Sequence, residues 1–256
     1  MRTIDSTLQF SHSLVNSYEG WLNAESDYNK YYGNSENAPD PHDYEIGKKL
    51  EFYSALFKVD LKPEFEREDT ALMLGKDFEF ILNIYSEIPF ILEDDGSWTF
   101  ENNKGDIYKV QLNSDFETLL ENRKKTLPKQ QVKIEGKLPN GLNFIGFADE
   151  VYDTCVIDIK TTSNFNRDNY NNSLQVPLYL HFLPYPITRG FYQVTEFYKS
   201  QAKGKNEFVM KDTFVIEAEP ITEEQLREFA KKCSEILRLA DNFITDFENY
   251  KNYFEL

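Results

Sequence analysis

The sequence predicts an α/β fold: a mixed central sheet flanked by helices, with helical additions at both ends of the chain. Three observations predict it. Alternating apolar and polar residues punctuated by turn signals fill 132–161, and helical periodicity dominates both ends. The third is size, since 256 residues with 40% hydrophobic and 15% aromatic content can bury one substantial core. A single domain is expected, with a helical N-terminal portion over about 1–95, a core over about 96–220 and a C-terminal helix over about 221–256.

Along the chain, Ser11 to Ala24 reads as a helix with Leu14, Tyr18, Trp21 and Leu22 on its apolar side. Glu25 to His42, rich in Asn, Tyr and acids, reads as a loop, and Tyr44 to Val59 as a second helix. Ala71, Leu74, Phe78, Ile81 and Tyr85 recur at helical spacing within Thr70–Tyr85. Ser97 to Leu112 reads as a hairpin turning at Asn102-Asn-Lys-Gly105, and Asp115 to Lys125 as a helix. Val132, Ile134, Gly136 and Leu138 alternate with polar residues, Pro139-Asn-Gly141 is a turn, and Asn143 to Asp149 is the returning strand. Cys155 to Thr161 is apolar enough for an interior strand, and Asn172 to Leu183 is helical. Gly190 to Lys199 and Phe208 to Glu217 are strand-like, joined by a polar loop over Ser200–Asn206. Thr222-Glu-Glu-Gln225 is a capping box that opens a long helix with Leu226, Phe229, Cys233, Ile236, Leu239 and Phe243 on one face.

The chemistry concentrates in the middle. Side chains two apart in a strand share a face, so Asp158 and Lys160 point the same way while Ile157 and Ile159 pack on the other side. If Asp149 ends the neighbouring antiparallel strand, its carboxylate approaches that of Asp158. Two carboxylates with open water positions suit a hard cation such as Mg²⁺, and Lys160 beside it is placed to orient water or stabilise phosphate charge. Gln175 and Tyr179 are neighbours at i and i+4, able to hydrogen-bond a phosphate, the lysine or a metal-held water.

Gly146-Phe-Ala-Asp149, Asp158-Ile-Lys-Thr161 and Gln175 with Tyr179 together resemble the core of the PD-(D/E)XK nuclease superfamily, in its RecB-like branch with phage exonucleases. Phe10-Ser-His-Ser13 loosely resembles the start of such domains. The resemblance implies a restriction-endonuclease-like core, Asp149 and Asp158 as metal ligands with the Ile159 carbonyl, Lys160 as catalytic lysine, and Gln175 and Tyr179 in the site. Glu79, four residues after Gly75, falls where the branch carries a histidine or an acid, making it a further candidate ligand. Mg²⁺ is the implied cofactor, with Mn²⁺ able to substitute, and DNA with a free end is the implied substrate.

Composition narrows this. Two cysteines, Cys155 and Cys233, give no disulfide framework and too few ligands for the iron–sulfur cluster of some relatives. His12, His42 and His181 lack metal-ligand spacing, and neither a P-loop nor a Ser-His-Asp arrangement is visible. No apolar stretch approaches the roughly 20 residues of a membrane span, and no signal peptide is evident. A soluble cytoplasmic protein of a bacterium or phage-infected cell, without a membrane partner, is expected.

A net charge of −16 weighs against nucleic-acid binding, because a polyanion is repelled at long range. Screening makes local patches count more than the total. Arg123, Lys124, Lys125 and Lys129, continuing to Lys133, form one basic patch leading into the core strands; Lys199, Lys203 and Lys205 form another. The expected function is metal-dependent hydrolysis of DNA phosphodiesters, by an exonuclease in replication, recombination or repair, with a single-strand-binding or recombination protein as possible partner. The alternatives are a catalytically silent nuclease-fold subunit and an acidic DNA mimic that inhibits a nucleic-acid-binding protein. Substituting Asp149, Asp158 or Lys160 by Ala is expected to leave melting largely intact, on the view that clustered carboxylates repel.

Overall fold

The computed structural model describes residues 9–33, 35, 38–57, 91–94, 96–101, 105, 107–110, 123, 125–202 and 205–253. The helix expected over Thr70–Tyr85, with Glu79, lies outside them, as do Lys124, Lys203 and most of Asp115–Lys125. Two compact units result: Met1–Glu66 with Ile134–Gly146 and Ile221–Leu256, and Arg67–Lys133 with Phe147–Pro220. The two helical ends of the sequence therefore belong to one unit, which also takes the turn at Pro139.

In the first unit, α1 (His12–Leu22) starts at Ser11, whose side chain accepts the Leu14 N–H at 3.2 Å, and stops at Asn23. A further helix, α2 (Ala24–Tyr32), follows where a loop was expected. Its polar composition hid a pair of tyrosines at i, i+4: Tyr28 and Tyr32 meet each other and Tyr44 of α3 (Pro41–Phe57) at 5.7 Å between ring centroids. α3 opens earlier than the apolar pattern indicated, because Asp40 accepts the His42 N–H at 2.8 Å and Pro41 takes the first helical position, where no donor is needed. Tyr18, Trp21, Phe52 and Tyr53 pack between α1 and α3.

The capping box is present as read. Thr222 Oγ1 accepts the Gln225 N–H, and Gln225 Oε1 accepts the Thr222 N–H, opening α6 (Glu223–Tyr253). Leu226, Phe229, Cys233 and Ile236 are buried on its inner face, with Phe229 against Phe144. The Pro139-Asn-Gly141 turn joins β5 (Lys129–Lys137) to β6 (Asn143–Val151), and its Gly141 has a φ of +83°, a value glycine adopts freely. Asn140 donates to Ala230 O and to Ser234 Oγ on α6. The short β1 (Gln9–Phe10) runs parallel to β6 at Asn143 and Phe144.

The second unit is α/β, with a mixed sheet of seven strands. Its members are β2 (Ile91–Leu92), β3 (Trp98–Glu101), β4 (Ile107–Val110), β6, β7 (Cys155–Thr162), β8 (Arg189–Ala202) and β9 (Lys205–Ala218), in the order β6-β7-β8-β9-β4-β3-β2. The hairpin expected around Gly105 is the β3–β4 pair. β7 pairs antiparallel with β6 and parallel with β8, which makes it the interior strand its composition required. The residues Tyr192 to Phe197 of β8 are all buried, as a strand covered on both faces should be. β8 and β9 run further than expected: Gln201 pairs with Asn206 and Ala202 with Lys205, so most of the polar loop belongs to the ladder.

Helices α4 (Arg167–Asn171) and α5 (Gln175–Phe182) connect β7 to β8. α5 packs on β8 at Gly190, where an added Cβ would sit 2.4 Å from Val176 Cγ1 and 3.0 Å from Leu180 Cδ1. Only glycine lets the helix approach this closely. The α5 N-terminus is also fixed by Tyr192, whose hydroxyl accepts the Val176 N–H at 3.0 Å and donates to Ser173 Oγ at 2.9 Å. Among the described residues, no helix is long and apolar enough to cross a membrane.

Candidate functional site

The register of the β6–β7 pair places the two carboxylates. Glu150 pairs with Ile157 and Val151 with Val156. Beyond these pairs, the Ile159 N–H is taken by Asp149 Oδ2 at 2.7 Å. The Asp149 side chain thus reaches across to β7 immediately beside Asp158. Its other oxygen, Oδ1, accepts from Gln131 Nε2 at 3.1 Å.

Asp158 is 1% exposed, so its charge must be answered locally. Lys160 Nζ lies 2.7 Å from its Oδ2, on the shared strand face that their spacing predicts. Gln175 Nε2 donates to its Oδ1 at 2.8 Å. Burial lowers the pKa of the Lys160 ammonium, but the Asp158 charge, their hydrogen bond and the Asp149 charge outweigh it, and the net shift is upward. Lys160 is therefore cationic here, with 36% of its side chain exposed.

Gln175 and Tyr179 are brought to the site as their helical spacing implied. Tyr179 donates its hydroxyl proton to the Phe147 carbonyl at 2.9 Å, so its oxygen accepts from Gln175 Nε2, also at 2.9 Å. That arrangement fixes the amide: the nitrogen faces both Tyr179 and Asp158. Gln175 binds the Asp158 carboxylate directly. Burial first, then the Asp158 charge, raise the Tyr179 pKa well above the ordinary phenol value.

The basic patch is only partly as read. Lys125 and Lys129 are exposed, as is Lys133. Arg123 is not part of that surface: it is buried and its guanidinium pairs with Glu150, which also accepts from Tyr152 Oη at 3.0 Å. The inward-facing Glu150 on β6 needs a buried cation, and Arg123 supplies it. A buried acid at an apolar strand position was the signal for this pairing. Lys199, of the second patch, lies 5.9 Å over the Phe208 ring. His12 is buried in α1, His42 is exposed at the start of α3, and His181 stacks edge-on against Phe182.

Gln131 and Tyr170 were not singled out by sequence. Tyr170 lies near Lys160 and Asp158 and bonds Thr162; burial raises its pKa, partly offset by the Lys160 charge. Among the described residues, no group of three or more His, Cys, Asp or Glu gathers as a metal site. Asp149 and Asp158 nonetheless offer only hard oxygen donors, the chemistry Mg²⁺ and Mn²⁺ accept with waters completing the shell. An α/β protein with two carboxylates, a lysine and an amide gathered beside an interior strand is what fold and site define. Compared with known proteins, the chain matches no family model and no curated protein.

Proposed function

We propose that this protein is a metal-dependent nuclease of PD-(D/E)XK type that hydrolyses DNA phosphodiesters, with exonuclease action favoured by its resemblance to the RecB-like branch. The observation that carries the reading is the convergence of Asp149, Asp158, Lys160 and Gln175 around the C-terminal half of β7. Two acids brought together by strand register, with a lysine two residues on, are the minimum for assisted attack on a phosphodiester.

Asp149 and Asp158 would hold the cation, with the Ile159 carbonyl and Glu79 as the further candidates. When bound, Mg²⁺ supplies charge neutralisation at the phosphate and a lowered pKa for attacking water. Gln175 and Tyr179 hold Asp158 in one orientation, because each proton in their relay has a single acceptor. Lys160 keeps its proton and brings a positive charge to the non-bridging oxygens or the incoming water. Lys125, Lys129 and Lys133 offer the backbone a local positive track on an acidic chain.

The test is cleavage of end-labelled DNA, linear and circular, single- and double-stranded, with Mg²⁺ or Mn²⁺. Label lost from linear DNA alone, with no loss for Lys160→Ala or in EDTA, supports an end-dependent nuclease. No cleavage by the wild type shifts the reading to a silent nuclease-fold subunit or to an acidic mimic, for which the −16 charge is the favouring observation.

A further inference from the structure

We infer that Gln131 is a positioning residue for the candidate metal ligand Asp149, an inference that rests on the nuclease reading and adds a residue to its site. Two non-glycine residues among those described have a positive φ, Leu127 at 38° and Gln131 at 48°. Leu127 has an ordinary reason: its N–H bonds the Arg123 carbonyl at 3.1 Å, closing a helical turn. Gln131 ends no helix. It sits within β5, where an extended conformation is the rule, and its side chain is exposed.

In the left-handed conformation a Cβ crowds the following carbonyl oxygen, and an exposed position of this kind is normally given to Gly or Asn. Glutamine has no advantage there for the backbone. What it has is reach. Its amide nitrogen lies 3.1 Å from Asp149 Oδ1, while the opposite oxygen of the same carboxylate is held by Ile159 N–H at 2.7 Å. Two neutral donors, one on each oxygen, hold the carboxylate in one rotamer. Each oxygen keeps lone pairs for a metal. The flanking Lys129 and Lys133 are exposed on the same strand, so the kinked start of β5 carries both an Asp149 partner and the positive charge that a phosphate backbone would follow.

Gln131→Gly and Gln131→Asn both accept the left-handed conformation, and neither reaches Asp149. Both should melt, with no added metal, at or above the wild-type temperature. Mn²⁺ affinity, measured by calorimetry, should fall about tenfold, the usual effect of removing a residue that orients a metal ligand. In the cleavage assay kcat should fall by a similar factor with KM for DNA unchanged. Wild-type Mn²⁺ affinity and turnover in both variants would overturn the role of Gln131 while leaving the nuclease reading intact. If the wild type binds no Mn²⁺, and Asp158→Ala behaves identically, the nuclease reading falls and the inference falls with it.

Discussion

Asp149 accepts the backbone N–H of Ile159 at 2.7 Å, so one of the two acidic side chains fastens the strands that carry them both. The carboxylate does in the fold what a backbone carbonyl does in a regular ladder. Asp149→Ala should therefore lose activity and also stability, by about 1–2 kcal/mol, because a strand N–H loses its partner. Asp149→Asn keeps an acceptor oxygen and should be nearer the wild type in urea unfolding, yet equally inactive.

Asp158 and Lys160 are mutually dependent. The view that removing a clustered carboxylate relieves repulsion does not describe this pair, since Asp158 is held by a cation at 2.7 Å. Lys160→Met strands a buried anion, whereas Asp158→Asn leaves a half-exposed lysine that water can serve. Removing one partner of a fully buried pair costs about 3–5 kcal/mol; with more than a third of the Lys160 side chain in solvent, about 1–2 kcal/mol is expected. Chemical denaturation should rank Lys160→Met below Asp158→Asn, and the double variant should be more stable than the sum of the single losses implies.

The strands of the candidate site were legible because a two-residue period and a turn motif translate directly into geometry. Asp158 and Lys160 share a face, Gln175 and Tyr179 share a helix edge, and Thr222 with Gln225 makes its capping box, all from spacing alone. What spacing cannot give is the partner across a long sequence separation. Arg123 looked like surface charge because its neighbours are basic; its burial depends on Glu150, which lies 27 residues further on, in β6. α2 was hidden for a related reason, since its tyrosines pack on Tyr44 and leave no apolar stripe to read. Gln131 carries no signal at all until its backbone conformation is known.

Arg123 and Lys129 should separate cleanly. Arg123→Ala leaves Glu150 buried without its cation and should cost about 3–5 kcal/mol in unfolding free energy. Lys129→Ala, at an exposed position, should leave melting unchanged, weaken DNA binding and lower the salt slope of log K by about 1. Fluorescence anisotropy across a salt series, beside thermal melts, distinguishes the two.

Alkaline pH tests the Tyr179 relay. Burial and the Asp158 charge raise its pKa in the folded chain above the ordinary 10.0, so the folded state holds a proton that the unfolded chain releases. For a group raised in this way, the stabilisation is complete below about pH 10 and is lost as pH climbs from there through the folded pKa. Tyr192 and Tyr170 shift in the same direction, each chiefly through burial, and Lys160 does so through Asp158. The melting temperature should hold steady to about pH 10 and then fall with each further increment. Tyr179→Phe removes one of these protons: it should melt lower at neutral pH, by the equivalent of about 1 kcal/mol for the lost hydrogen bonds, and show a shallower alkaline decline. Melts from pH 8 to 11.5 with parallel decline in both proteins would mean that Tyr179 does not hold its proton through burial beside Asp158.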